Sequence, residues 1–196
     1  MVDYDILREN LRRFYDFADK VVLYVGAGGR QLLDPAIKTK KLIAVDQNAF
    51  SLEELKISVA AEGRQNVDVI ASRFEDVTES GDVVYFEFCL HEMHQPEQAL
   101  LRARRLAPDT VVFDHMVGSE WVFHAAEEDK VNQSASAIEQ FGIRRRERFL
   151  LAQQFRDHNE LVAKINGQGA LALERAQRFA GASDISIPMS YELVLL

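Results

Sequence analysis

Twice between Val21 and Asp46 the chain runs through apolar, strand-forming residues into a polar end. VVLYV enters the glycine turn GAGGR, and LIAV stops on Asp46, eighteen residues after Gly28. A glycine turn lets the backbone reverse and approach a ligand with no Cβ in the way. An acid at the tip of the next parallel strand can accept hydrogen bonds from ribose hydroxyls. The pair predicts an α/β sheet carrying an adenosine-containing cofactor. Such turns also occur in α/β proteins that bind nothing there.

Two better-known phosphate motifs do not fit. The turn lacks the Gly-Lys-Ser/Thr ending of a phosphate loop, and Gln31 stands where the dinucleotide fingerprint needs its third glycine. The turn therefore predicts a nucleoside site without a pyrophosphate cradle.

At 196 residues the expectation is one domain, residues 1–196, with a sizeable core. A hydrophobic content of 47% argues against disorder. The net charge of −8 argues against a nucleic-acid partner, which wants a basic face. The single cysteine, Cys89, excludes an intrachain disulfide and fits a reducing, cytoplasmic setting. The N-terminus carries acids from Asp3 and has no apolar signal core. No apolar run approaches the roughly 18 residues of a membrane span, so no membrane partner is expected.

The alternation of patterns predicts the elements. Tyr4 to Ala18 reads as a helix with Ile6, Leu7, Leu11, Phe14 and Phe17 on one face. Strands are expected at 20–25, 41–46, 66–71, 82–88 and 110–114. A short helix closed near Pro35 follows the glycine turn. Ser51 and Glu54 read as a capping box opening a helix to about Gly63, and Pro96 to Leu106 reads as another helix. Ser119 to Phe141 reads as one long helix, 156–165 and 171–179 as two more, and Ile185 to Leu195 as a last strand. The expected architecture is a Rossmann-like, doubly wound, mostly parallel sheet of about six or seven strands. Residues 20–115 form its core, and 119–180 form a helical C-terminal lid.

Four segments in order resemble the class I S-adenosylmethionine-dependent methyltransferases, in their small-molecule (type 11) branch: VLYVGAGGR, IAVDQN, SRFEDV and the stretch from GDVVYFEFCLHEMHQPEQ to VVFD. The resemblance covers roughly 20–115. It implies S-adenosyl-L-methionine as cofactor and a small-molecule methyl acceptor; a homodimer is compatible with it. By this resemblance Gly26, Ala27 and Gly28 lie against the methionine part, Asp46 holds the ribose, and Gln47 lies near the adenine. Arg73 and Phe74 flank the adenine, and Glu87 and Phe88 lie along the methionine and the transferred methyl. Three positions depart from the family pattern. Tyr24, in the cofactor-binding set, replaces an acid, Arg30 replaces a glycine, and Arg73 replaces the acid that meets the adenine amino group. Glu87 is the candidate to hold the cofactor ammonium, and Arg30 to meet its carboxylate.

The rim of such a sheet also gathers His91, Glu92, His94, Asp114 and His115. His91, Asp114 and His115 are the candidate catalytic residues on the acceptor side. The His91-Glu92-Met93-His94 spacing is not that of a zinc protease, and no metal is expected. Trp121, Phe123 and nearby aromatics are expected to line the acceptor pocket under the lid. The run Arg144, Arg145, Arg146, Arg148 reads as a solvated, ion-paired face or as an anion site. Two other functional classes stay open on the sequence: a catalytically altered, cofactor-binding interaction protein and an NAD-dependent oxidoreductase.

Overall fold

The computed structural model describes residues 3–29, 31–34 and 36–196. Arg30 and Pro35, the expected carboxylate contact and helix end, lie outside the described residues. Strands β1 (Val21–Val25), β2 (Lys41–Asp46), β3 (Val67–Ala71), β4 (Val83–Glu87), β5 (Asp109–His115), β6 (Arg145–Asp157) and β7 (Ser183–Leu195) form one sheet in the order β3-β2-β1-β4-β5-β7-β6. β1 to β5 pair in parallel; β7 is antiparallel to both β5 and β6.

The apolar strands alternate between two cores, as the two-residue period of a pleated strand requires. Val22, Tyr24, Leu42, Ala44, Tyr85 and Phe113 face one core, shared with helix α1 (Tyr4–Phe14), α4 (Glu120–Ala125), α6 (His158–Ile165) and α7 (Ala170–Ala176). Leu23, Val25, Ile43, Val84, Phe86 and Val112 face the other, closed by α3 (Pro96–Leu106) and α5 (Glu128–Glu139). Helix α2 (Ala49–Ala61) packs through Leu52, Leu55 and Val59 on the first core. Burial on both faces is why these strands read as unbroken apolar runs.

Several expected boundaries shift for local reasons. α1 stops at Phe14, because Tyr15 turns extended, and Ile6 is exposed rather than in the core. α2 is capped by Asn48, whose side chain accepts the N–H groups of Phe50 and Ser51, so Ser51 is not the cap. In place of a regular helix after the glycine turn there are two 3-10 turns, Ala27–Gly29 and Gln31–Leu33.

The stretch expected to be one helix from Ser119 to Phe141 is two. Ala126 sits in the left-handed region with φ 58° and ends α4, and α5 then turns to the opposite face of the sheet against α3. The cap is also not helical throughout. Its middle is β6, thirteen residues long, paired with β7 along its length and carrying the arginine run. Arg144, Arg145, Arg146 and Arg148 all have carboxylate partners there, as a paired face would. Among the described residues no helix is long and apolar enough to cross a membrane.

Candidate active site

The carboxyl ends of β1, β2, β4 and β5 meet at one rim, where two cavities adjoin. The outer, of about 600 Å³, runs past Val45, Asp46, Gln47, Ser72, Arg73, Phe74 and Met93. The inner, of about 380 Å³, is walled by Gln31, Glu87, Phe88, His91, His115, Trp121, Glu127 and Lys164. Gly26, Asp46, Cys89 and Glu92 line both.

Gly26 is the pivot. Its φ is +75°, and a Cβ there would stand 2.7 Å from the Glu87 carbonyl oxygen and 2.8 Å from the Cys89 side chain. Only glycine lets β1 turn this close to the end of β4. The next turn is tied to β2: the Gly28 N–H donates to Asp46 Oδ2 at 3.2 Å, and the Asn48 N–H donates to Oδ1 at 2.9 Å. Each Asp46 oxygen keeps accepting capacity on the cavity side.

Tyr24 and Ala27 are fully buried and line neither cavity. Tyr24 acts one layer below. Its hydroxyl donates to Glu87 Oε2 and accepts the Gln31 N–H at 3.1 Å. Burial pushes the Glu87 carboxyl up to about 8, against the hydrogen bonds from Tyr24 and Gln31 that pull it down. Glu87 is thus a buried acid whose ionised form a bound cation would favour. Beside it Gln31 Oε1 is buried with no hydrogen-bond partner among the described residues. Gln31 escaped the sequence reading because it stood only as the residue that breaks a glycine fingerprint.

The acceptor-side candidates form one network. Asp114, 1% exposed, accepts the backbone N–H of His91 at 3.0 Å and of His115 at 2.9 Å, and bonds His91 Nδ1 at 2.5 Å. His91 Nε2 then faces Glu92 Oε1 at 3.5 Å and Glu127 Oε2 at 3.9 Å. Burial alone would lower the His91 pKa; the charge and hydrogen bond of Asp114, with Glu92 and Glu127, outweigh it and hold it up at about 10. Burial holds His115 down to about 4. His94 is exposed in the turn before α3, away from this network.

Phe88 joins the two halves. It has φ 45°, a conformation that costs a bulky residue on the order of 1–3 kcal/mol. Its ring packs 4.5 Å from Phe113 and 4.7 Å from His115, which secures the turn. Trp121 is the one of the expected aromatics that reaches the inner cavity. Phe123 is 43% exposed and lines neither, lying instead under the Arg175 guanidinium. The inner cavity is closed by Tyr4 and Leu7 of α1, Trp121 of α4 and Lys164 of α6, so its cover comes from both ends of the chain.

No family model matches this chain. A curated translation initiation factor IF-3 of Caulobacter sp. (strain K31) is 28% identical over 71 residues, and the match spans 36% of this chain and 41% of that protein. Solved structures agree over nearly the whole chain. A candidate methyltransferase from Bacillus halodurans C-125 superposes with a TM-score of 0.69 at 14% identity, covering 97% of this chain and 96% of that one. A SAM-dependent methyltransferase from Aquifex aeolicus gives 0.60 at 17% identity, over 99% and 89%. The fold is that of the class I methyltransferases. The same fold carries other chemistry: the cyclase SpnF superposes with a TM-score of 0.65 at 15% identity, over 97% of this chain and 79% of that one. Function therefore has to be argued from the site.

Proposed function

We propose that the chain binds S-adenosyl-L-methionine across the two cavities and transfers its methyl group to a small-molecule acceptor in the inner one. The observation that carries this reading is the continuity of the cavities over Gly26 and Asp46. A nucleoside-sized polar groove opens there into a pocket walled by a buried acid and an orphan amide oxygen. The donor set fits the cofactor's two ends. Asp46 suits ribose hydroxyls, and Gln47, Arg73 and Phe74 suit the adenine. Glu87 and Gln31 Oε1 are acceptors for an ammonium.

The cofactor supplies an activated methyl on a sulfonium. What this chain contributes is alignment and exclusion of water, and orientation of reactants can supply roughly 7–11 kcal/mol. Phe88 and Gly26 fix the backbone beside the methyl. Trp121 and α1 shield it from solvent. Asp114 orients His91, and the rings of His91 and His115 face the acceptor half. The wall of the inner cavity is mixed, apolar at Phe88 and Trp121 and polar at His91, His115, Glu127 and Lys164, which would orient a small polar acceptor.

Asp46→Ala tests the assignment. It removes a charged acceptor, so S-adenosylhomocysteine binding should weaken by about 1.5–3 kcal/mol in a titration calorimeter. Unchanged affinity in a chain whose circular dichroism is intact would take the ribose away from Asp46.

A further inference from the structure

We propose that His91, His115 and Glu127 form a binding site for one divalent transition-metal ion, with zinc the best match to the donor set. One donor atom from each of the three lies within 4.8 Å of the other two. They come from separate elements, the turn after β4, the end of β5 and the residue before α5, so the cluster is made by the fold and not by a sequence motif.

Two features of the cluster point to a ligand. Asp114 accepts the hydrogen bond of His91 Nδ1, which turns Nε2 toward Glu127, and a metal ion bound there would displace the Nε2 proton. A carboxylate behind a histidine is the usual second layer of a metal-ligating imidazole, fixing its tautomer and raising its basicity. The same Asp114 accepts the His115 N–H, so one buried carboxylate positions both rings. His115 Nδ1 is buried with no hydrogen-bond partner among the described residues. An orphaned buried nitrogen is costly unless something coordinates it.

Glu127 is 4% exposed; Lys130 Nζ approaches its Oε1 at 3.8 Å, and its Oε2 faces His91. Glu92 adds a second carboxylate, 3.5 Å from His91 Nε2 and 2.8 Å from Lys130. Glu92 and Glu127 thus both face His91 Nε2, with Lys130 Nζ in contact with each acid.

Two histidines and one glutamate are a known zinc donor set, and three protein ligands leave one position open. A tetrahedral ion with bonds of about 2.0–2.1 Å draws its ligands to about 3.3 Å apart. The contraction falls on Glu127, at the residue before α5, which would exchange its contact with Lys130 for the ion. His91, His115 and Glu127 all line the inner cavity, so an ion they hold would be reached from it. The metal site stands whether or not the chain transfers methyl groups. On the methyl-transfer reading, and resting on it, the open position would take the acceptor's donor atom.

The test uses the full chain, stripped with a chelator and titrated with Co2+ and then Zn2+. Uptake of one equivalent of Co2+ with the intense visible absorption of a low-coordinate ion, displaced by Zn2+, is the expected result. His115→Gln and Glu127→Gln should each weaken binding by about a hundredfold or more, and Asp114→Asn by about 10–100-fold. His94→Ala, which alters an exposed histidine, should leave it unchanged. Should a variant fail to fold, the wild-type Co2+ complex decides, since its paramagnetically shifted imidazole signals must come from two histidines. Absence of stoichiometric uptake, binding that survives both glutamine variants, or loss on His94→Ala equal to theirs would overturn the proposal.

Discussion

Gly26→Val removes measurable affinity for S-adenosylhomocysteine, a loss of more than about a hundredfold, in a chain that still folds. Two effects add. A valine at φ +75° is strained at about 1–3 kcal/mol. Its Cβ would also overlap the Glu87 carbonyl oxygen and the Cys89 side chain, so the turn must retreat from β4. That retreat closes the passage where both cavities share Gly26. β1 is paired with β2 and β4 along its length and should hold the sheet together. Calorimetry with S-adenosylhomocysteine, beside a denaturant melt, separates the two outcomes. Near wild-type affinity would mean that this loop is not the cofactor's cradle.

The largest effect on stability is expected at Asp114. Asp114→Ala leaves the His91 ring without its carboxylate in a site where both side chains are nearly inaccessible, 3% and 1% exposed. Breaking a buried charged pair by removing one partner costs about 3–5 kcal/mol. Two backbone N–H groups, of His91 and His115, lose their acceptor at the same time. Asp114→Asn keeps an acceptor oxygen there and should cost distinctly less. The midpoints of urea unfolding give the comparison. A cost below about 1 kcal/mol for the alanine variant, as for an ordinary surface site, would show that Asp114 does not anchor the rim.

The parts of the fold that the sequence made legible are those where one physical signal dominates. β1, β2, β4 and β5 are buried on both faces, so their apolar runs stand out. Pro96 and the following residues mark α3 to the residue. β6 stayed hidden because it is the edge strand and largely solvated. Its charges stand together at 145–148, and exposed Leu150 follows between half-buried Phe149 and Leu151, so the run reads as a charged face. The break at Ala126 carries no glycine or proline to announce it, since a non-glycine residue takes the left-handed turn.

The site divides in the same way. Asp46, Gly26, Glu87 and His91 sit at strand ends, and strand ends are where α/β sheets put ligands. Glu127 and Gln31 have no such marker, because tertiary packing alone brings them to the inner cavity. Tyr24 was placed against the cofactor for its position in the glycine motif. In the structure that position points into the core, and Tyr24 reaches the cavity through Glu87 and Gln31.

The most direct test is a titration of the unmodified full chain with S-adenosylhomocysteine and, separately, with NAD. Saturable one-site binding of S-adenosylhomocysteine, lost in Gly26→Val, and no heat from NAD are expected. Binding of NAD in its place, or silence toward both ligands from a folded chain, would contradict it.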